Sequence, residues 1–102
     1  MKNTMRLALT TVAVLFLSAS VFSQKALKKA DELFDAHQYF NAVNYYKQAY
    51  AGAAKDKKAL ILYKTGLASQ EINDIKGAET YYQKAIASNF DDPTVYLRLA
   101  EV

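Results

Sequence analysis

The feature that most constrains the fold of this chain is an internal repeat with an offset of 36 residues. The matched positions carry either a small residue or a tyrosine. They are Ala30, Ala42, Tyr46 and Ala49 in the first copy and Gly66, Ala78, Tyr82 and Ala85 in the second. A third copy begins at Pro93, and its Ala100 lies 34 residues after Gly66. A period of this length is typical of architectures that stack one supersecondary unit on the next.

Each copy has the apolar spacing of two helices joined by a tight turn. Apolar residues recur three and four positions apart, which is the periodicity of one helix face. The spacing predicts helices over residues 25–36, 40–51, 59–69 and 75–87, and a further helix after Pro93. His37-Gln38 and Asn73-Asp74 are predicted to form the turns. We expect Asp56 and Asp91-Asp92 to cap the helices that follow them, with Pro93 in the first turn.

The small residues of the repeat indicate how the helices pack. Gly66 lies in the middle of a predicted helix, where glycine costs roughly 1 kcal/mol relative to alanine. That cost is tolerable if a neighbouring helix comes too close for a side chain. We therefore expect Ala78 to face Gly66 across a close contact, and Tyr46 and Tyr82 to fill the next layer.

This pattern resembles the tetratricopeptide repeat family, whose unit is a helix–turn–helix of about 34 residues. Gly66-Leu67-Ala68 and Ala78-Glu-Thr-Tyr-Tyr-Gln-Lys-Ala85 carry the resemblance, whereas Lys29 stands where the family usually has an apolar residue. The resemblance implies an all-α antiparallel solenoid of two repeats and the first helix of a third, with units of about 24–56, 59–92 and an incomplete 93–102. The competing interpretation is an unrelated bundle of helical hairpins.

The N-terminal residues 1–23 have the three-part pattern of an export signal peptide. Lys2 and Arg6 form a short basic head, and residues 7–23 carry no charge. Val21-Phe22-Ser23 fits a signal-peptidase site, which predicts that the mature chain begins at Gln24. The alternative is a retained anchor, although membrane-spanning helices usually need roughly 20 apolar residues. The sequence has no cysteine, so a lipoprotein anchor is excluded.

Composition argues against nucleic-acid binding and against catalysis. Without Lys2 and Arg6, the 13 basic residues fall to 11 against 10 acidic ones, a net charge of about +1. Such a balance gives no electrostatic reason to bind nucleic acid or an anionic membrane. The single histidine, His37, has no second ligand or nucleophile at useful spacing, and no catalytic motif is present. We therefore expect no enzymatic activity, no metal and no cofactor.

The family resemblance implies a binding surface on the concave face, which the first helix of each pair lines. Helical spacing assigns eight residues to this stripe: Leu27, Asp31, Phe34, Tyr63, Leu67, Gln70, Leu97 and Glu101. The stripe mixes apolar and acidic groups and lacks the lysine and asparagine pairs with which some family members hold a C-terminal carboxylate. It predicts an apolar or weakly basic protein segment as partner. Two alternatives remain, a merely curved surface and a face covered by downstream domains.

The expected function is that of an exported scaffold for protein–protein interaction, in the periplasm or at the outer membrane. An export signal followed by such repeats resembles the N-terminal region of Bacteroidetes-type OmpA-family cell-envelope proteins. This resemblance predicts a fragment of a larger protein, which meets the membrane only through the export signal or through domains absent here. The alternative function is a structural spacer for an OmpA-like peptidoglycan-binding domain.

Overall fold

The computed structural model describes the backbone of residues 2–102 and the side chains of residues 19–102, and this part of the chain contains helices but no strand. The all-α prediction is therefore confirmed. Five helices follow one another and each packs against the next. They are α1 (Lys2–Asp35), α2 (Tyr39–Gly52), α3 (Lys55–Glu71), α4 (Ile75–Ala87) and α5 (Thr94–Glu101).

The predicted helices agree with the observed ones except at the N-terminus. The limits of α4 are those expected, and α2 and α3 differ from prediction by at most a few residues at each end. The first helix was expected to begin at Lys25 but begins at Lys2. The physical reason is the lack of a helix breaker: the first glycine of the chain is Gly52 and its one proline is Pro93.

The expected export segment, residues 1–23, lies mostly outside the residues whose side chains are described. Helix α1 runs through the expected cleavage point without interruption. Ser23, the last residue before that point, is buried, and its hydroxyl donates a hydrogen bond to the carbonyl oxygen of Ala49, 2.5 Å away in α2. Phe22 beside it is 62% exposed. Among the residues described, no helix is both long and apolar enough to cross a membrane.

Three turns end helices in the same way. His37, Asn73 and Asn89 each have a φ between 61° and 64°, the left-handed region in which asparagine and histidine are enriched. The backbone N–H of the residue after each left-handed position bonds back to a carbonyl five residues earlier, as in Gln38 to Leu33 and Asp74 to Ser69. This is the Schellman arrangement, which satisfies carbonyls that the helix end leaves free. The predicted turns at His37 and Asn73 are confirmed.

The residues at the N-termini of α3 and α5 differ in part from the expected arrangement. Asp56 lies in the first turn of α3, where its charge suits the helix dipole, and Ala54 occupies the cap position. Asp92 does act as a cap, because its Oδ1 accepts bonds from the backbone N–H of Thr94 at 3.0 Å and from the Thr94 hydroxyl at 2.9 Å. Pro93 stands at the boundary of α5 rather than inside its first turn.

The core consists of two clusters, each built around a tyrosine. Tyr46 is 1% exposed and lies among residues of α1, α2 and the middle of α3, and Tyr82 is fully buried among residues of α3, α4 and α5. Tyr50 packs against both clusters and connects them. The eight matched positions of the first two copies are all buried, whereas Ala100 of the third copy is exposed.

Gly66 owes its lack of a side chain to a tyrosine ring. A Cβ atom placed on Gly66 would lie 2.5 Å from Cε1 of Tyr82 and 2.6 Å from its Cδ1. Its nearest neighbour is thus the aromatic ring rather than Ala78, the neighbour expected from the sequence. Ala78 is fully buried in the same cluster. The repeat therefore brings the large residue, not the small one, against the glycine.

Candidate partner-binding groove

An open groove lies between α1 and α3, and it brings together three of the eight residues predicted for the binding face. Its cavity has a volume of about 330 Å³. The predicted members are Asp31, Phe34 and Leu67. The remaining lining residues are Asp35, Tyr46 and Lys64. This groove, defined by the six residues, is called the α1–α3 groove below.

An ion pair crosses the floor of the α1–α3 groove and ties its two helices together. The Nζ atom of Lys64 lies 3.0 Å from Oδ1 and 3.1 Å from Oδ2 of Asp31. Both side chains remain partly exposed, at 29% and 41%, so the pair itself contributes little to stability. Lys64 was not predicted. The sequence feature that indicates this pairing is the separation of Asp31 and Lys64 by 33 residues, which is close to one repeat period.

The buried Tyr46 orients the carboxylate of Asp31 by a hydrogen bond. Its hydroxyl donates a hydrogen bond of 2.7 Å to Asp31 Oδ1. Burial, reinforced by the bond to Asp31, raises the pKa of the Tyr46 hydroxyl well above its ordinary value. The phenol therefore stays protonated and acts as a donor across the physiological range, and its bond to Oδ1 helps to hold the Asp31 carboxylate in place.

Gln70 and Glu101 lie together in a second polar group, further along α3. The Gln70 amide accepts a 2.7 Å bond from the hydroxyl of Tyr82 and donates a 3.1 Å bond to Glu101 Oε2. Glu101 also pairs with Arg98 at 3.4 Å. Burial raises the pKa of the Tyr82 hydroxyl above its usual range, so it too remains a donor. This group joins α3, α4 and α5.

Tyr63 is a packing residue rather than a free groove side chain. Its ring stacks on that of Phe90 with centroids 4.7 Å apart, and it also contacts the ring of Tyr82. Its hydroxyl lies 3.2 Å from the Thr94 hydroxyl. These contacts fix the connection between α4 and α5 against α3. These contacts could not be predicted from local patterns, since they depend on where that connection folds back.

The two remaining predicted residues lie apart from the α1–α3 groove. Leu27 is half-buried against the first core cluster and lines a small cavity of about 60 Å³ beside Ser23 and Gly52. Leu97 is 63% exposed on α5. The eight predicted residues thus divide into a groove trio, a polar pair, one packing aromatic and two separate leucines.

The α1–α3 groove carries a net negative charge. Asp31 and Asp35 contribute two carboxylates against the one ammonium of Lys64. In the part of the chain with described side chains, Asp35 makes no ion pair. Phe34 and Leu67 supply apolar walls. A groove of this kind suits a side chain with an apolar stem and a cationic end. Within residues 19–102, no three histidine or carboxylate side chains gather closely enough to hold a metal ion.

Comparisons with models of known protein families, with curated proteins and with solved structures found no match for this chain.

Proposed function

We propose that this chain is an exported tetratricopeptide-type scaffold that binds another protein in the α1–α3 groove. The observation that carries the proposal is the arrangement of two first helices around an open, partly charged cavity, while the small and aromatic repeat positions of the first two copies are all buried. The buried repeat positions pack the helices together, so the groove is a preformed surface. A preformed surface binds with little ordering cost.

The chemistry of the groove favours a partner segment with apolar and basic side chains. A lysine or arginine of the partner would place its charged end near Asp35 and its stem against Phe34 and Leu67. The existing ion pair with Lys64 leaves one carboxylate uncompensated. Such complementarity contributes more to partner choice and association rate than to raw affinity.

Affinity capture from an envelope extract tests this proposal, with Leu67→Lys as the disruptive variant. The new ammonium group replaces part of the apolar wall and repels a cationic side chain of the partner, so we expect the captured partner to be lost. Ile75→Lys is the matched control, because Ile75 is 42% exposed on α4 and lies outside the groove. Equal capture by both variants, each with intact helical circular dichroism, would refute the proposal.

Export is the second element of the proposal, supported by the basic head and uncharged run at the N-terminus. Mass spectrometry of the chain purified from the cells that produce it should find Gln24 as the first residue. A soluble chain that still begins at Met1 would contradict export. Cleavage would also remove the Ser23–Ala49 bond, so we expect the mature chain to unfold at a slightly lower temperature than the uncleaved one.

A further inference from the structure

A pocket between α2 and α4, away from the α1–α3 groove, is lined by lysines and tyrosines. Its cavity has a volume of about 210 Å³. Leu62 and Thr65 of α3 are buried at its floor, and the walls come from both flanking helices. The lining residues are Lys47, Tyr50, Leu62, Thr65, Tyr81 and Lys84. None of them belongs to the predicted binding face or to the α1–α3 groove.

The charged groups of this α2–α4 pocket are all cationic. Lys47 and Lys84 line it, and a third lysine, Lys58, holds its Nζ 4.6 Å from the centroid of the Tyr50 ring. Lys84 lies similarly over Tyr81, at 5.9 Å. No acidic residue lines the pocket. Over residues 19–102 the ion pairs join Lys64 to Asp31 and Arg98 to Glu101, so these three lysines are uncompensated.

The other polar groups of the pocket also favour an anionic ligand. The hydroxyl groups of Tyr50 and Tyr81 make no hydrogen bond within the described part of the chain, which leaves them free to donate. The Thr65 hydroxyl already donates to the Ile61 carbonyl at 2.7 Å. The ammonium groups of Lys58 and Lys84 already lie over the rings of Tyr50 and Tyr81. These pairs therefore offer a ligand both apolar contact and positive charge without rearrangement.

The pocket lacks the features by which proteins usually hold phosphate. Phosphate sites draw on free backbone N–H groups at helix N-termini or in glycine-rich loops. The lining residues instead lie inside α2, α3 and α4, where backbone N–H groups are committed to the helices. The volume is also below the roughly 300–1000 Å³ of sites that hold drug-sized ligands. The small volume and the surrounding lysines instead suit one apolar side chain that is flanked by carboxylates.

We propose that the α2–α4 pocket binds an acidic peptide segment of a partner protein. An apolar side chain of the segment enters the cavity between Tyr50 and Tyr81, and neighbouring aspartate or glutamate residues pair with Lys47 and Lys84. Lys58 adds to the positive field from beside Tyr50. This surface is separate from the α1–α3 groove, and its occupant has the opposite charge to the partner proposed there.

Titration of the full ¹⁵N-labelled chain with a blocked Glu-Phe-Glu tripeptide, followed by amide chemical shifts, tests the proposal. Saturable shifts are expected around Lys47–Tyr50 and Tyr81–Lys84, weakening as salt is raised. The double variant Lys47→Glu/Lys84→Glu should bind at least about tenfold more weakly. The double variant Lys28→Glu/Lys76→Glu is the matched control, because it makes the same charge change at exposed residues outside the pocket and should bind as the wild type does.

Three results would overturn the proposal: shifts confined to other residues, equal binding of a Lys-Phe-Lys tripeptide, or unchanged binding by the double variant. Inorganic phosphate or anionic phospholipid vesicles that move the same amides as strongly as the peptide would also overturn it, since they would indicate a site for simple anions or for a membrane. If charge reversal reduces the helical content, the neutral variant Lys47→Gln/Lys84→Gln gives the same comparison, with weaker binding again expected.

Discussion

Tyr46 and Tyr82 occupy matching positions in the sequence repeat, yet their hydroxyl groups bind different partners. Tyr46 bonds to Asp31 of α1, whereas Tyr82 bonds to Gln70, near the end of α3. The small residue at the matched position of the preceding helix differs as well, since the first copy has Ala30 where the second has Gly66. The two copies thus use one buried aromatic to support two different surface groups, the α1–α3 groove and the Gln70–Glu101 pair.

The Gly66→Ala substitution should destabilise the fold despite the better helix propensity of alanine. The added methyl group would lie 2.5 Å from a ring carbon of fully buried Tyr82. Overpacking of this kind costs about 1–3 kcal/mol, whereas the propensity gain is about 1 kcal/mol. We therefore expect the free energy of unfolding to fall by up to about 2 kcal/mol in urea denaturation.

A double-mutant cycle provides the control for this prediction. In a Tyr82→Ala background the ring is absent, so Gly66→Ala should stabilise the chain by up to about 1 kcal/mol through propensity alone. The same effect in both backgrounds would show that the ring is not what requires the glycine.

Individual helices owe their limits to local chemistry at their ends. The three left-handed residues His37, Asn73 and Asn89 follow the ends of α1, α3 and α4, respectively. At each end, the N–H of the left-handed residue bonds to a carbonyl three residues earlier, and the next N–H bonds to one five residues earlier. None of the three is glycine, the residue that most often fills such a position. Each therefore carries a small conformational cost, which suitable substitutions should reveal.

Substitutions at Asn73 should separate backbone strain from side-chain chemistry. Asn73→Ala leaves a β-carbon in the left-handed region without a polar group to stabilise it, which costs about 1 kcal/mol. Asn73→Gly removes the β-carbon and should keep or raise the free energy of unfolding. Thermal unfolding measures both variants. If alanine proved as stable as glycine at this position, the turn geometry described here would be wrong.

Asp92 should hold the first turn of α5 in a pH-dependent way. The two bonds from Thr94 lower the pKa of the Asp92 carboxyl, so the ionised form favours the folded turn. Its contribution is present above the unfolded pKa of about 3.9 and is lost as the pH falls through the lower, folded value. Amide NMR at Thr94 should therefore show local loosening only in acid.

The Asp92→Ala variant should show that loosening at neutral pH, whereas Asp91→Ala should not, because Asp92 is the residue that bonds to Thr94. Faster exchange of the Thr94 amide in the first variant alone is the expected result. Equal exchange rates in both variants would mean that the cap does not stabilise α5.

Element positions could largely be predicted from the sequence, because they depend on local periodicity and turn residues. The limits of α4, the turns at His37 and Asn73, and the burial of both tyrosines all followed from the repeat. The site was predicted less well. The pairing of Lys64 with Asp31 and the stacking of Tyr63 on Phe90 depend on how successive helix pairs are rotated, which no local pattern specifies.

At the scale of the whole molecule, two surfaces carry opposite charge. The α1–α3 groove has two carboxylates and one ammonium group, while the α2–α4 pocket has lysines and no acid. The net charge of residues 24–102, about +1, hides this difference. A scaffold with two such surfaces could hold a basic and an acidic segment at once, which is a means of bringing two partners together.

Site-specific photo-crosslinking in the cells that produce the chain tests the binding role of the α1–α3 groove most directly. A benzophenone amino acid replaces Leu67 in one variant and Ile75 in another, which keeps an apolar side chain at each site. We expect a discrete crosslinked protein from position 67, with tryptic fragments rich in lysine or arginine at the attachment point, and none from position 75. Crosslinks absent at 67, or identical at both positions, would contradict the account.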